Sequence, residues 1–120
     1  MAKDTLSWPN TSSLPVTLEE FRAALEEARP PEGCSAALVA LWHDGKGDWE
    51  EAHRIAQSVD DEDGAWVHAY LHRKEGDSGN ARHWYRRACR QFRDVAMHEE
   101  WDQIVTSLLG ERTAAQPDNA

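Results

Sequence analysis

Two histidines four residues apart, His68 and His72, carry the clearest capacity for chemistry in this sequence. On a helix that spacing puts both imidazoles on one face, which is how a single helix offers two nitrogen ligands to one metal ion. The same pair suits acid–base work, because an imidazole near its ordinary pKa takes and returns a proton when a carboxylate orients it. Glu75 and Asp77 follow within a turn, so His68, His72 and Glu75 are the candidate catalytic residues. A third imidazole, His43, precedes His72 by 29 residues in a matching local sequence. His43, His68 and His72 are therefore the candidate metal ligands, expected to line one groove between two similar units, with Asp44 close by. The competing expectation is structural: His43 and His72 end their helices, where a partly protonated ring favours the negative end of the dipole and bonds a free carbonyl. His53 and His83 read as half-exposed helix residues without a special role.

Arginines form the second constellation. Arg82, Arg86 and Arg90 recur at every fourth position, with Arg93 close behind, which predicts a cationic stripe along the exposed side of one helix. Such a stripe can bind an acidic peptide, a carboxylate or a phosphate. The alternative is a solvated face that balances the acidic first half of the chain, by direct pairing with Asp60 to Asp63. Residues 1–64 hold 5 Lys and Arg against 14 acids, whereas residues 65–120 hold 8 of each. The net charge of −9 repels phosphate backbones and anionic lipid on average, so nucleic-acid and membrane-surface binding are disfavoured.

Other motifs lack the context their chemistry requires. Gly76-Asp77-Ser78-Gly79 matches a serine-protease nucleophile loop, but that geometry needs paired β-barrels and the chain has no strand pattern. His98-Glu99-Glu100-Trp101 opens like a zinc-protease helix, yet Asp102 stands where the second histidine is required. Gly45-Lys46-Gly47 has neither the strand nor the remaining glycines of a phosphate loop. Asp60-Asp61-Glu62-Asp63-Gly64 fails as a calcium loop at its first and twelfth positions, Val59 and Tyr70, and is expected to charge the start of a helix favourably. Cys34 and Cys89 are isolated thiols without metal-type spacing, expected to be small core residues rather than a disulfide.

The elements that must position these groups are helical. Thr17 with Glu20 makes a capping box ahead of TLEEFRAALEEA, where Leu18, Phe21, Leu25 and Ala28 share a face, and Pro30-Pro31 ends that helix. A shift of 29 residues then lays Ala40 on Ala69, His43 on His72, Gly47 on Gly76, Asp48 on Asp77 and Ala52 on Ala81. Each unit reads as a helix, a turn in which glycine supplies backbone freedom, and a second helix whose first amides are capped by aspartate. The small residues Ala40, Ala52, Ala69 and Ala81 let paired helices approach closely. A last helix carries Val95, Met97, Trp101, Ile104, Val105, Leu108 and Leu109 and is expected to end at Gly110. Six tryptophans in 120 residues supply bulky core anchors. Trp8, next to Pro9, lies outside any helical pattern and reads as a docking tail.

GDWEEAHRIAQSV (47–59) resembles the turn and second helix of a tetratricopeptide repeat, with Ala52, Ala56 and Val59 at its small or apolar positions. GDSGNARHWYRRA (76–88) is similar to the ending of the shorter, Sel-like relatives of that repeat. Ala65, His68 and Ala69 replace the aromatic and Leu-Gly residues of the helix opening. WVHAYLHRKEGDSGNARHWYR (66–86) also resembles a group of small bacterial and fungal proteins that carry no assigned activity. The repeat resemblance implies stacked helix pairs with a concave face that binds a peptide or partner protein.

The expected fold is all-α: a compact bundle of about six helices, formed from two tandem helix-turn-helix units between an N-terminal helix and a C-terminal capping helix. Residues 17–110 form one domain, with 1–16 and 111–120 flexible. The N-terminus has no apolar leader and no run long enough to span a bilayer, so a cytoplasmic location follows by default. The expected function is interaction with a protein or peptide partner, with a homodimer as one form and no cofactor. The alternative is a small-ligand site or enzyme that uses the histidine and carboxylate cluster, with or without a metal.

Overall fold

A computed structural model describes residues 17–114 of the chain and shows an all-helical bundle. Six α-helices follow in order: α1 (Leu18–Ala23), α2 (Ala36–Gly45), α3 (Trp49–Ser58), α4 (Glu62–Lys74), α5 (Ser78–Arg87) and α6 (Met97–Ala114). Trp8 and the other residues of 1–16, like 115–120, lie outside the described residues.

Polar caps set most of the starts. Thr17 accepts a hydrogen bond from the Glu20 amide, Asp48 from Glu51, Asp61 from Gly64 and Asp77 from Asn80, each satisfying an amide that has no partner inside its helix. The exits of α2 and α4 are built from the same bonds. Gly47 and Gly76 take φ of 88° and 92°. The Asp48 amide bonds the His43 carbonyl at 2.9 Å, and the Asp77 amide bonds that of His72 at 2.9 Å. Each is a Schellman stop in which the residue after the glycine immediately caps the next helix. His43 and His72 thus sit in the last turns of α2 and α4.

Helices α2 and α3, α3 and α4, and α4 and α5 pack as neighbours, with α6 laid across α1, α2 and α4. Ala40, Ala52, Ala69 and Ala81 are all buried and give the helices their close approach. Phe21, Leu38, Leu41, Val67, Leu71, Ile104 and Val105 fill the centre. The buried Trp42 and Trp101 and the partly buried Trp49 donate their indole N–H groups to the carbonyls of Ala24, Leu41 and Leu71 respectively. Among the described residues no helix is long and apolar enough to cross a membrane.

Three boundaries differ from the expectations. The first helix stops short: one 3-10 turn (Ala24–Glu26) follows α1, and Ala28 is exposed. The carbonyls of Ala24, Leu25 and Glu27 accept instead from Trp42 Nε1 and Lys46 Nζ, so tertiary partners replace the helical ones. Helix α5 ends at Arg87, because Cys89 adopts a left-handed φ of 58° and makes the same Schellman bonds as the two glycines. That exit leaves Cys89 exposed rather than in the core, and it is a free thiol like the partly buried Cys34. At the other end α6 runs through Gly110 to Ala114, since a glycine without a positive φ does not stop a helix.

The start of α4 packs tightly against the linker that leaves α3. A Cβ on Gly64 would press into the carbonyl oxygen and Cβ of Val59, both closer than van der Waals contact allows. Backbone cannot swing aside as a flexible side chain does. Gly64→Ala is expected to lose about 1–3 kcal/mol of stability, read from urea unfolding followed by tryptophan fluorescence. A wild-type midpoint would show that the linker is looser than its geometry.

Candidate functional site

The helices bring three imidazoles together, and one of them is not among the candidates. His68 and His72 occupy one face of α4, and His53 reaches them from α3, so that one ring nitrogen of each lies within 4.8 Å of the others. His43 is outside this group. Its position in α2 corresponds to that of His72 in α4, but the helix facing α4 here is α3, so equivalence by sequence shift puts His43 one unit away. There its ring meets Trp42 edge-on. His53 instead shares the inward face of α3 with Trp49, Ala52 and Ala56, at helical spacing that was available in the sequence.

Aromatic walls fix the rings. His53 stacks on Trp49 with centroids 4.8 Å apart, and His68 stacks on Trp84 at 4.0 Å. His68 and His53 share a hydrogen bond between their Nε2 atoms at 3.0 Å. His72 Nδ1 lies 2.7 Å from Glu75 Oε2, an arrangement that fixes the ring and leaves Nε2 for other partners. Asp77 is also in reach of His72 and Glu75, though one of its oxygens already caps α5.

Burial decides the charge state. His68 is 4% exposed, and its pKa is pushed down to about 4 by desolvation first and then by the neighbouring His53, His72 and His83. His53 is lowered too, chiefly by desolvation and by His72, with Glu75 opposing. Both rings are therefore neutral at pH 7, with one bare nitrogen each. His68 Nδ1 is buried with no hydrogen-bond partner. Burying a bare acceptor costs less than burying an N–H, so the favoured tautomer has His68 Nε2–H donating to His53. His83 lies outside the groove, exposed, with its ring against the edge of Trp84.

The arginines converge by a different route from a helical stripe. Arg82 and Arg86 project from α5, whereas Arg90 and Arg93 belong to the segment that leaves it after the left-handed Cys89. Arg82, Arg86 and Arg90 nevertheless line one cleft of about 530 Å³ with Tyr85, Gln91 and Phe92. Arg90 also borders a second cleft of about 540 Å³, together with Arg93, Trp66 and Gln103. Phe92 is the large apolar residue left exposed among the described residues, at 43%, and packs edge-on to Tyr85. The guanidinium of Arg82 lies over the Phe92 ring and that of Arg90 lies 3.8 Å from the Trp66 ring centre. Asp60 approaches Arg87 at 3.9 Å, between two exposed side chains, and none of Arg82, Arg86, Arg90 and Arg93 pairs with an acid among the described residues.

Beneath the second cleft lies a buried carboxylate. Glu100 accepts from Tyr85 Oη at 2.6 Å, Arg73 Nη1 at 2.7 Å and Trp66 Nε1 at 3.3 Å, while Arg73 also donates to the Val95 carbonyl. Asp44 is held likewise by Tyr70 Oη and Lys74 Nζ. Both tyrosines have their pKa raised, by burial first and by the carboxylate each one bonds. Protein-family models, curated proteins and solved structures were each compared with the chain, and none of the three gives a match.

Proposed function

We propose that the chain is a helical interaction domain that takes an acidic segment of a partner protein into the cleft framed by Arg82, Arg86 and Arg90. The observation that carries this reading is that three guanidinium groups converge on one cleft while no acid of the described chain pairs with them. In a molecule of net charge −9, that leaves a local positive field which no acid among the described residues pairs. Guanidinium groups suit carboxylates because each presents a fork of donors matched to two oxygens. Phe92 and Tyr85 give the cleft an apolar floor, so the segment that fits best alternates acids with a large apolar side chain. The tetratricopeptide and Sel-like resemblance supports the same reading, because domains of that kind bind peptides on their helix faces.

The test uses an array of 12-residue peptides that differ in acid count and in the presence of one apolar residue. Affinity is expected to rise with acid count, to fall steeply with salt, and to drop by about 100-fold or more in Arg86→Glu/Arg90→Glu. Affinity that ignores acid count, or that survives the double charge reversal, overturns the proposal. The acidic first half of a second copy is the competing occupant. Concentration-dependent self-association that Arg86→Glu/Arg90→Glu abolishes, without acidic-peptide binding, would assign the cleft to a homodimer instead.

A further inference from the structure

We infer that the groove between α3 and α4 is a transition-metal site, in which His53, His68 and His72 bind one divalent ion of the zinc type and Glu75 positions His72. The inference is independent of the acidic-segment reading and involves no residue of the arginine cleft.

Donor type comes first. Three imidazoles, without a thiolate, suit zinc and its first-row neighbours rather than calcium or magnesium, which take oxygen ligands. Spacing comes second. Around a tetrahedral ion with metal–nitrogen bonds of about 2.0–2.1 Å, ligating nitrogens sit roughly 3.3 Å apart. The Nε2 atoms of His53 and His68 are already 3.0 Å apart, and the third nitrogen lies within 4.8 Å.

Orientation comes third. A ligating histidine is commonly held by a carboxylate on its other nitrogen, which fixes the tautomer and raises ligand basicity. Glu75 Oε2 occupies that position against His72 Nδ1 at 2.7 Å. Trp49 and Trp84 lock the other two rings by stacking, so little rotamer freedom remains to be lost on binding. Two of the three ligands come from one helix at a spacing of four residues and the third from its neighbour, so an ion would also tie α3 to α4.

Burial supplies a further observation. His68 is 4% exposed, and its Nδ1 is buried without a hydrogen-bond partner in a fold that satisfies every other buried side-chain polar atom among the described residues. The nitrogen that would meet the ion is Nε2, the one that bonds His53, so the orphaned Nδ1 shows only that His68 carries a polar cost that packing alone does not select. Three protein nitrogens leave a fourth coordination position open, as in zinc sites that hold a water or a substrate oxygen.

The experiment is a zinc titration of the full chain, prepared without a histidine tag and stripped with chelator, against a chromophoric competitor. One equivalent is expected to bind at roughly micromolar affinity or tighter. His53→Ala changes a partly exposed rim residue and is expected to weaken binding at least 100-fold, whereas Glu75→Gln is expected to weaken it by about 10–100-fold. His43→Ala should leave the affinity unchanged. Cobalt(II) loading gives a second readout, because a site of low coordination number develops intense visible absorption that His53→Ala should abolish. Far-ultraviolet circular dichroism of each variant shows that the helices remain. No zinc binding below millimolar concentration, or binding that survives His53→Ala, overturns the inference.

Discussion

Glu100→Ala is expected to lower the stability of the domain by about 3–5 kcal/mol, the largest effect of any single substitution considered for this chain. Glu100 is 5% exposed and receives three donors, from Tyr85, Arg73 and Trp66. Removing the carboxylate strands all three. The Arg73 side chain is 13% exposed and cannot withdraw into water, and Asp94, its other acidic neighbour, lies at 4.0 Å with a 98% exposed side chain. Arg73 would therefore remain as a buried charge without a counter-ion. Glu100→Gln keeps the shape and an acceptor oxygen for Tyr85 and Trp66, so its cost is expected to be smaller. Replacing both partners, as in Arg73→Met with Glu100→Met, should cost less than Glu100→Ala alone, because it removes the stranded charge along with the pair. Urea unfolding followed by tryptophan fluorescence measures all three. A loss below about 1 kcal/mol for Glu100→Ala would mean that water reaches Arg73 and that the network is not a buried one.

This network also bears on the arginine cleft. Tyr85 contributes its hydroxyl to Glu100 and its ring to the cleft floor, so the acid that holds α5 against α6 also positions the wall on which Phe92 packs. A stability defect at Glu100 is therefore expected to weaken acidic-peptide binding indirectly, through loosening of that wall. Arg86→Glu/Arg90→Glu breaks no ion pair of the described chain and loses only the Arg90 stack on Trp66, so its unfolding should shift far less than that of Glu100→Ala. Measured side by side, the two variants separate a folding effect from a recognition effect.

What the sequence disclosed and what it hid divide along a physical line. Features decided within four residues were legible: the glycine exits at 47 and 76, the aspartate caps at 48 and 77, and the placement of His68 and His72 on one face. Features decided by which helix faces which were not. The shift of 29 residues correctly equates His43 with His72, but equivalence in a series of stacked units means separation by one unit rather than contact. Contact follows from adjacency, and His53 on α3 is the adjacent imidazole. Its signal was present in the run Trp49, Ala52, His53, Ala56, an apolar stripe into which a histidine had been placed. The arginine stripe failed for a related reason. Periodicity at 82, 86 and 90 carries the helix past residue 87, because nothing about a cysteine announces a left-handed backbone, which normally favours glycine. Gly110 shows the converse, a glycine that stays inside its helix because α6 is long enough to continue on either side of it.

Acidification is expected to destabilise the metal-free domain steeply between pH 6.5 and about 4, and His68 sets the window. In the folded state its pKa is pushed down to about 4, by burial and by His53, His72 and His83, while in the unfolded chain it returns to 6.5. Between those values the unfolded state binds a proton that the folded state refuses. Stability is therefore fully present above the unfolded value and falls as pH drops, by about 1.4 kcal/mol per unit, for a total on the order of 3 kcal/mol. His53 acts in the same direction, since its pKa is also depressed. The carboxylates near the groove do not cancel this effect, because Glu75 faces His72 and only moderates the shift at His53. The measurement is urea unfolding at pH 7.5 and pH 5 with chelator present, in wild type and in His68→Phe. Wild type is expected to lose on the order of 2 kcal/mol across that interval. His68→Phe keeps the ring stacked on Trp84, removes the titrating nitrogen and should lose much less. Equal losses in the two proteins would place the acid sensitivity elsewhere, and no loss in wild type would mean that His68 accepts its proton in the folded state. The same substitution eliminates one proposed zinc ligand, so a variant that resists acid yet no longer binds the ion would locate both properties at one buried ring.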